Sequence, residues 1–360
     1  MNKNHYVAIM AGGIGSRFWP MSRIQNPKQF LDILQTGSTL LQSTFERFKT
    51  FIPLENIYIV TSGEYVPLVK EQLPQLPEAN ILGEPDRRNT APCIAYVSMK
   101  IEQLNPEANL IVAPSDHMIT DVDTFRETCL EALNFTAKEN AFVTLGIKPT
   151  YPNTGYGYIQ FEKSTLPQSI YPVKRFTEKP DKTLACSFLQ SGSYLWNSGI
   201  FIWKAKDILE AFRCHAPEMF ELFAGHAAYL NTPKENVAIL AIYAKCESIS
   251  IDYAIMEKAG NVFVIPSAFR WSDLGTWNSA WENFEKDPMQ NAIAGDNTIM
   301  AGASGCLVHS MDKKLILVGG VKDLIIVNTA DALMICKKED EQQIREYVRQ
   351  VSHAKGEMYL

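Results

Sequence analysis

Short unbroken apolar runs alternate with helical patterns across the first 150 residues, and this alternation constrains the fold more than any other feature of the chain. Residues 6–11, 57–61, 110–113 and 142–146 are such runs, with a shorter one at residue 81. A strand wet on one face alternates apolar and polar side chains, whereas an unbroken run is buried on both faces, as in parallel sheets covered by helices. Helical patterns lie between the runs, at residues 41–48, 64–73, 91–104 and 122–138. The first has Leu41, Phe45 and Phe48 on its apolar face, and Ser38 or Thr39 can cap it. The expected fold class is therefore α/β, with a parallel sheet between helical layers.

The middle of the chain changes character. Residues 156–161 and 170–177 read as strands of an inserted or antiparallel portion. Residues 183–189, 205–212 and 251–258 read as helices, 262–265 as a strand and 274–284 as a helix. After Asp287-Pro288, apolar runs at 306–308, 315–318, 324–327 and 333–336 recur about every nine residues between Gly, Asp, Asn and Lys turns. That is an all-β tail, and its periodicity fits a sandwich, a small barrel or a few coils of a β-helix equally well. A last helix, 339–351, carries Ile344, Tyr347, Val348 and Val351 on one side and is expected to dock back. The expected domains are residues 1–287 and 288–360.

Charge and cysteine usage narrow the function classes. With 34 basic against 40 acidic residues and a net charge of −6, the chain has no polybasic signature for general binding of nucleic acid or an anionic membrane. Its 7 cysteines are odd in number and never in CxxC spacing, so they read as reduced apolar side chains rather than as a disulfide framework or zinc site. The apolar run before the first glycines is too short for a signal-peptide core, and no later stretch is long enough to span a membrane. A soluble cytoplasmic protein is expected.

The first strand delivers Ala11-Gly12-Gly13-Ile14-Gly15-Ser16-Arg17. Amides exposed by a glycine-rich turn can cradle phosphate oxygens. The spacing is neither the dinucleotide-binding fingerprint nor a P-loop, so a merely tight turn is the competing reading. Arg17, with its rigid fork, and Lys28, a point charge, flank the turn while Phe18 and Trp19 anchor it, which favours phosphate. Further along, Gly83-Glu84-Pro85 and Arg88-Asn89-Thr90-Ala91-Pro92 lie between a strand and a helix that Asn89 or Thr90 can cap. Pro114-Ser115-Asp116-His117 comes directly after a strand, so Asp116 stands at the carboxyl end where open α/β sheets bind ligands, and it suits magnesium. His117 reads as structural first and as a ligand second. Asp273 reads locally as a helix cap before residues 274–284.

Residues 11–30, with Phe18-Trp19-Pro20-Met21-Ser22-Arg23 and Pro27-Lys28-Gln29-Phe30, resemble the signature of sugar-nucleotide pyrophosphorylases, in particular their mannose-1-phosphate guanylyltransferase branch. Ser16 stands where many members have threonine, and Lys28-Gln29 where glucose-1-phosphate members have Lys-Pro. Gly155-Tyr156-Gly157, Glu178-Lys179-Pro180, Trp196-Asn197-Ser198-Gly199, Ser250-Ile251-Asp252 and Trp271-Ser272-Asp273 match further segments in family order. The resemblance implies a Rossmann-like nucleotidyltransferase domain with a mixed, mostly parallel sheet, and it admits a left-handed β-helix for the tail. It implies GMP transfer from GTP to mannose 1-phosphate, giving GDP-mannose and pyrophosphate, with Mg²⁺ on Asp116 and Asp273.

By the same resemblance Arg17 and Lys28 neutralise the triphosphate, and Ala11, Gly12, Gly13, Gly15, Ser16, Asn89, Thr90 and Ser115 line the nucleotide. Glu84 faces the base and accepts from guanine. Gly157, Glu178, Lys179, Asn197 and Asp252 serve the sugar phosphate, with Lys179 aligning the incoming group. A homodimer of the short form, without a fused isomerase domain, is expected. Two other readings stay open: transfer to another sugar 1-phosphate, and a catalytically silent subunit that binds the sugar nucleotide. A plain scaffold is the weakest of all.

Overall fold

In a computed structural model, residues 1–162 and 169–360 are described. The chain divides into two compact units that interleave in sequence. The first comprises Met1–Gly12, Phe45–Pro114 and Ile119–Trp271; the second comprises Gly13–Thr44, Ser115–Met118 and Ser272–Leu360.

Among the described residues the first unit is built on a nine-stranded sheet: β1 His5–Met10, β2 Ile57–Ser62, β3 Ile81–Glu84, β4 Asn109–Pro114, β5 Phe142–Ile147, β6 Tyr158–Phe161, β7 Tyr171–Thr177, β8 Tyr194–Lys204 and β9 Val262–Ser267. Their order is β3-β2-β1-β4-β8-β5-β9-β7-β6, and β6 also pairs with β8, so five strands close on themselves. β1 runs parallel to β2 and β4, and Val7 stands opposite both Ile57 and Ile111. β8 is antiparallel to β4 and β5. The sheet is thus mixed, mostly parallel in its first half. Val7, Ala8 and Ile9 are fully buried, as expected of strands covered on both faces.

The helices, in chain order, are α1 Leu40–Lys49, α2 Val66–Gln72, α3 Thr90–Leu104, α4 Val122–Thr136, α5 Lys182–Ser191, α6 Ala205–His215, α7 Pro217–Ala224, α8 Glu235–Tyr243, α9 Trp277–Asn283 and α10 Ile344–Lys355. Thr39 rather than Ser38 caps α1, in a reciprocal box with Gln42. Asn89 caps α3.

Several expectations fail for identifiable reasons. The helix expected at 251–258 is a single π-helical turn, Asp252–Met256. β8 is an eleven-residue strand whose Asn-Ser-Gly interruption breaks the apolar pattern. α8 is not anticipated because Glu-Asn-Val-Ala-Ile-Leu-Ala-Ile-Tyr is apolar nearly all round and shows no stripe. It is tied to α3 by Glu235, which accepts from Lys100 at 2.6 Å and from the Tyr96 phenol.

In the second unit the tail chooses the β-helix among the three candidates. Its strands are β10 Ala292–Ala294, β11 Thr298–Ala301, β12 Leu307–Ser310, β13 Ile316–Gly319, β14 Leu324–Asn328 and β15 Leu333–Lys337. β10, β12 and β14 stack in parallel, with Ala292 beside Leu307 and Leu307 beside Ile325. β11 and β13 stack likewise on another face, and β15 ends the stack antiparallel to β14. Leu307, Ile325, Val327 and Met334 share one core with Phe18, Trp19, Leu31, Ile33, Trp277 and Ile344, and Tyr347, Val348 and Val351 of α10 pack against it. The last helix therefore docks as expected but begins at Ile344, after a 3-10 segment, Lys338–Gln343. Asp273 does not cap α9: Thr276 does, in a capping box with Ser279.

His309 ties the β-helix to the segment after the glycine loop. Its Nε2 meets the Ile33 carbonyl at 3.2 Å, and its ring lies against Trp277 and Phe284. Burial pushes the imidazole down to about 4 from 6.5. Between those values the unfolded chain binds a proton that the folded chain refuses, so stability present above pH 6.5 is lost as pH falls towards 4. His309→Gln should flatten the pH dependence of the urea unfolding free energy across that window by up to about 1.4 kcal/mol per pH unit. Identical slopes in the two proteins would refute this account.

Candidate functional site

The glycine loop leaves β1 and passes from the first unit to the second between Gly12 and Gly13. Two side chains from later in the same segment hold its backbone within the second unit. Ser22 Oγ donates to the Ile14 carbonyl at 2.6 Å, and Gln29 Nε2 donates to the Gly13 carbonyl at 2.9 Å. Gly15 has a φ of +69°, and a Cβ there would lie 2.3 Å from Cβ of Lys28. Both facts demand glycine.

Lys28 is 3% exposed. Its ammonium donates to Asp116 Oδ2 at 2.9 Å and to the Asp273 backbone carbonyl at 2.8 Å, and it lies 5.4 Å from the centre of the Phe18 ring. Burial alone would raise the Asp116 carboxyl, but the charges of Lys28 and His117 and the hydrogen bonds it accepts outweigh this and hold it below the ordinary value. Asp116 keeps 33% of its side-chain exposure, so it can still meet a ligand. His117 Nε2 stands 3.9 Å from its other oxygen. Ser115 is buried and its carbonyl accepts from Thr44 at 3.1 Å. Asp273 Oδ1 accepts from the Gly275 amide at 3.0 Å, a local turn rather than a helix cap.

Two aspartates far apart in sequence thus meet one lysine. Hard oxygen donors of this kind suit magnesium, which keeps several waters and takes only one or two protein carboxylates beside substrate phosphates. Among the described residues no group of three or more His, Cys, Asp or Glu side chains gathers that could hold a metal ion; Asp116 offers a partly exposed carboxylate, while Asp273 meets Lys28 through its backbone carbonyl. Ser16 and Arg17 begin a 3-10 turn, Ser16–Phe18. Arg17 Nε is buried without a hydrogen-bond partner among the described residues, and a buried unpaired donor is costly unless a ligand acceptor meets it. α10 packs against this turn and places Arg345 close enough for the Arg17 charge to add to the burial that lowers its guanidinium. No sequence signal separates Arg345 from an ordinary surface arginine.

The first unit gathers the other expected residues in two places. Ala11 is fixed by its amide on the Val60 carbonyl at 2.7 Å and by Thr61, whose hydroxyl donates to the Ala11 carbonyl at 2.8 Å. Gly12 is next, and a Cβ on it would lie 3.6 Å from Glu84 Oε2. Glu84 ends β3, is buried, and accepts from the Tyr243 phenol at 2.8 Å. Burial pushes its carboxyl up to about 7, against the pull of that hydrogen bond. Thr90 Oγ1 accepts from the Ile251 amide at 2.9 Å, which ties the start of α3 to the segment carrying Asp252.

The second place lies where β6, β7 and β8 meet. Asn197 donates its amide hydrogen to the Gly157 carbonyl at 2.8 Å and its Nδ2 hydrogen to Asp252 at 3.1 Å. Its Oδ1 accepts from Thr144 at 3.1 Å. A Cβ on Gly157 would run into Glu178 Oε2, so with glycine there the carboxylate can lie against the backbone. Glu178 pairs with Lys179, whose side chain remains 61% exposed and whose φ is +46°. Burial would lower Lys179, but Glu178, Asp252 and Tyr253 outweigh it and raise its value. Burial and then the Glu178 charge push Asp252 up to about 7. Thr144 and Tyr243 escape a reading of the sequence, since a threonine in a strand and a tyrosine ending an apolar helix look like ordinary formers of those elements.

The lysine–aspartate arrangement makes a direct prediction. Asp116→Asn keeps the shape but leaves the Lys28 ammonium buried without its anion, and it should lower the urea unfolding free energy by roughly 3 kcal/mol. Unchanged stability would mean that the pair is solvated rather than buried.

Known proteins share this architecture. Residues 6–290 match the nucleotidyl transferase family, and residues 296–351 match a domain described as mannose-phosphate isomerase/GMP-like β-helix. The alginate biosynthesis protein AlgA of Pseudomonas putida is 37% identical over 95% of this chain and 70% of its own length. A mannose-1-phosphate guanylyltransferase of Escherichia coli is 36% identical over 94% of this chain and 72% of its own. A crystal structure from Thermus thermophilus, described as a mannose-1-phosphate geranyltransferase, superposes with a TM-score of 0.87 at 31% identity and covers 97% of this chain and 99% of that one. No described helix is long and apolar enough to cross a membrane.

Proposed function

The chain belongs to the nucleotidyl transferase family, and on that premise we propose that it transfers GMP from GTP to α-D-mannose 1-phosphate, giving GDP-mannose and releasing pyrophosphate. The observation that carries the reading is the Lys28 ammonium seated under the glycine loop against Asp116 and the Asp273 backbone. It is a phosphate-transfer arrangement, with fixed positive charge and hard oxygen donors, in a chain whose relatives include a protein named for this reaction. We assign the chemistry to the 1–287 domain and leave the β domain, 288–360, outside it.

The reaction is an in-line displacement: an oxygen of mannose 1-phosphate attacks the α-phosphorus of GTP as the bond to pyrophosphate breaks. The nucleophile is already an anion, so the chain needs no general base, and rate comes from positioning and charge neutralisation. Arg17 and Lys28 neutralise the triphosphate over the amides of Gly12, Gly13, Gly15 and Ser16. Ala11, Asn89, Thr90 and Ser115 shape the nucleotide position, and Glu84 accepts from the base. Lys179 aligns the sugar phosphate, while Glu178, Asn197, Asp252 and the open backbone at Gly157 receive the sugar hydroxyls. The family's reaction is magnesium-dependent; the ion, when bound, would neutralise phosphate charge, and Asp116 and Asp273 would hold it. A homodimer in solution belongs to the same reading.

Pyrophosphate release, measured with GTP, ATP, UTP and dTTP against mannose 1-phosphate and glucose 1-phosphate, should be strong for GTP with mannose 1-phosphate alone and should stop on chelation of the metal. Preference for another pair would keep the chemistry and overturn the base or sugar assignments. Silence in every combination, with GDP-mannose still bound, would favour a regulatory protein. Lys179→Ala should cost about 100-fold in kcat/KM for mannose 1-phosphate. Unchanged kinetics for that substrate would remove Lys179 from its role.

A further inference from the structure

Tyr243 has no place in the roles above, yet its phenol points at the one carboxylate assigned to the base. We propose that Tyr243 is a positioning residue for base selection: by holding Glu84 Oε1 it fixes the carboxylate plane so that Oε2 faces the nucleotide at Gly12. The proposal rests on the reading of Glu84 as the base acceptor.

Three observations support it. First, the 2.8 Å hydrogen bond joins residues 159 apart, and both side chains are buried, Tyr243 to 1% exposure and Glu84 to 8%. Burial first, and then the neighbouring Glu84 charge, push the phenol well above its usual range, so it stays a donor at any working pH. Second, the helix carrying Tyr243 is anchored at its other end as well. Glu235, the first residue of α8, accepts from Lys100 of α3 at 2.6 Å and from the Asn231 amide at 2.7 Å. α3 in turn starts shortly after Glu84, at Thr90. Third, Glu84 Oε2 lies on the glycine side, 3.6 Å from where a Cβ on Gly12 would stand, and the missing side chain leaves room for a ligand edge.

The chemistry explains why such a brace matters. Guanine presents two adjacent donors, N1–H and the N2 amine, whereas adenine offers an acceptor at N1. A site built to accept those donors rejects an analogue lacking them only if its acceptors hold their place. An unbraced carboxylate rotates about its last torsion and adapts to either edge. The phenol also opposes the burial that favours the protonated acid, and a protonated Glu84 would offer a donor where an acceptor is required.

The test compares GTP, ITP and ATP with mannose 1-phosphate in wild-type, Tyr243→Phe and Glu84→Gln proteins. ITP lacks only the N2 amine. Tyr243→Phe keeps the ring and loses the donor, so its preference for GTP over ITP should fall about tenfold. The loss should be read in the KM for GTP, with the KM for mannose 1-phosphate as the unmoved reference. A purely structural tyrosine would move both or neither. Glu84→Gln should reduce the preference at least as far. Selectivity intact in Tyr243→Phe but lost in Glu84→Gln overturns the brace and leaves the Glu84 reading standing. Selectivity intact in Glu84→Gln overturns the Glu84 reading, and the brace with it. Should Tyr243→Phe not fold, Tyr243→His against Tyr243→Met gives the same comparison of a donor with none.

Discussion

A lysine ammonium buried to 3% exposure must find anions or carbonyls, or lose its charge. Lys28 finds the Asp116 carboxylate and the Asp273 backbone carbonyl, and much of the second unit is arranged to make that possible. Gly15 gives up its side chain so that Lys28 can cross the loop. Gln29 and Ser22 hold the loop by its carbonyls. Phe18, beside which the ammonium lies, is packed in the same core as Trp277, Ile344 and the inner face of the β-helix. The β-helix and the last helix thus serve as the wall against which the charged loop is braced.

The acidic groups show how environment assigns chemistry to identical side chains. Asp116 is pulled below the ordinary range because a lysine answers its burial, which favours a permanent anion suited to phosphate and metal work. Glu84 is pushed to about 7 because its burial is answered only by a phenol, and Asp252 to about 7 because the Glu178 carboxylate adds to its burial. Each accepts a hydrogen bond from a neutral donor, Glu84 from Tyr243 and Asp252 from Asn197. Carboxylates shifted this far by burial cluster at functional sites, although structural networks also produce them.

Much of the first unit was legible in the chain. The strands at β1, β2, β4 and β5 and the helices α1, α3 and α4 were visible because an unbroken apolar run or a 3.6-residue stripe is a local consequence of burial. The legibility failed where burial left no period. β8 carries Asn197, Ser198 and Gly199 inside a buried strand because Asn197 bonds to Gly157, Asp252 and Thr144, and α8 is apolar on nearly every side. Likewise the tail showed four short runs but not their stacking, since a β-helix, a barrel and a sandwich all ask for the same spacing. Pairing of Ala292 with Leu307 and of Leu307 with Ile325 settled it.

By itself the sequence determined that this chain forms an α/β sheet with a glycine loop at the end of its first strand, then an all-β tail and a docking helix. Each of these is set by residues near one another in the chain, through steric freedom at glycine and through the period of burial. It also placed the motifs in the order that marks the family. Only the tertiary structure decided that Lys28 meets Asp116 and the Asp273 backbone, that Tyr243 meets Glu84, and that Asn197 is shared between Thr144 and Asp252. Those contacts join residues dozens to hundreds of positions apart, and a hydrogen bond a few ångströms long leaves no trace in the spacing of the residues that make it.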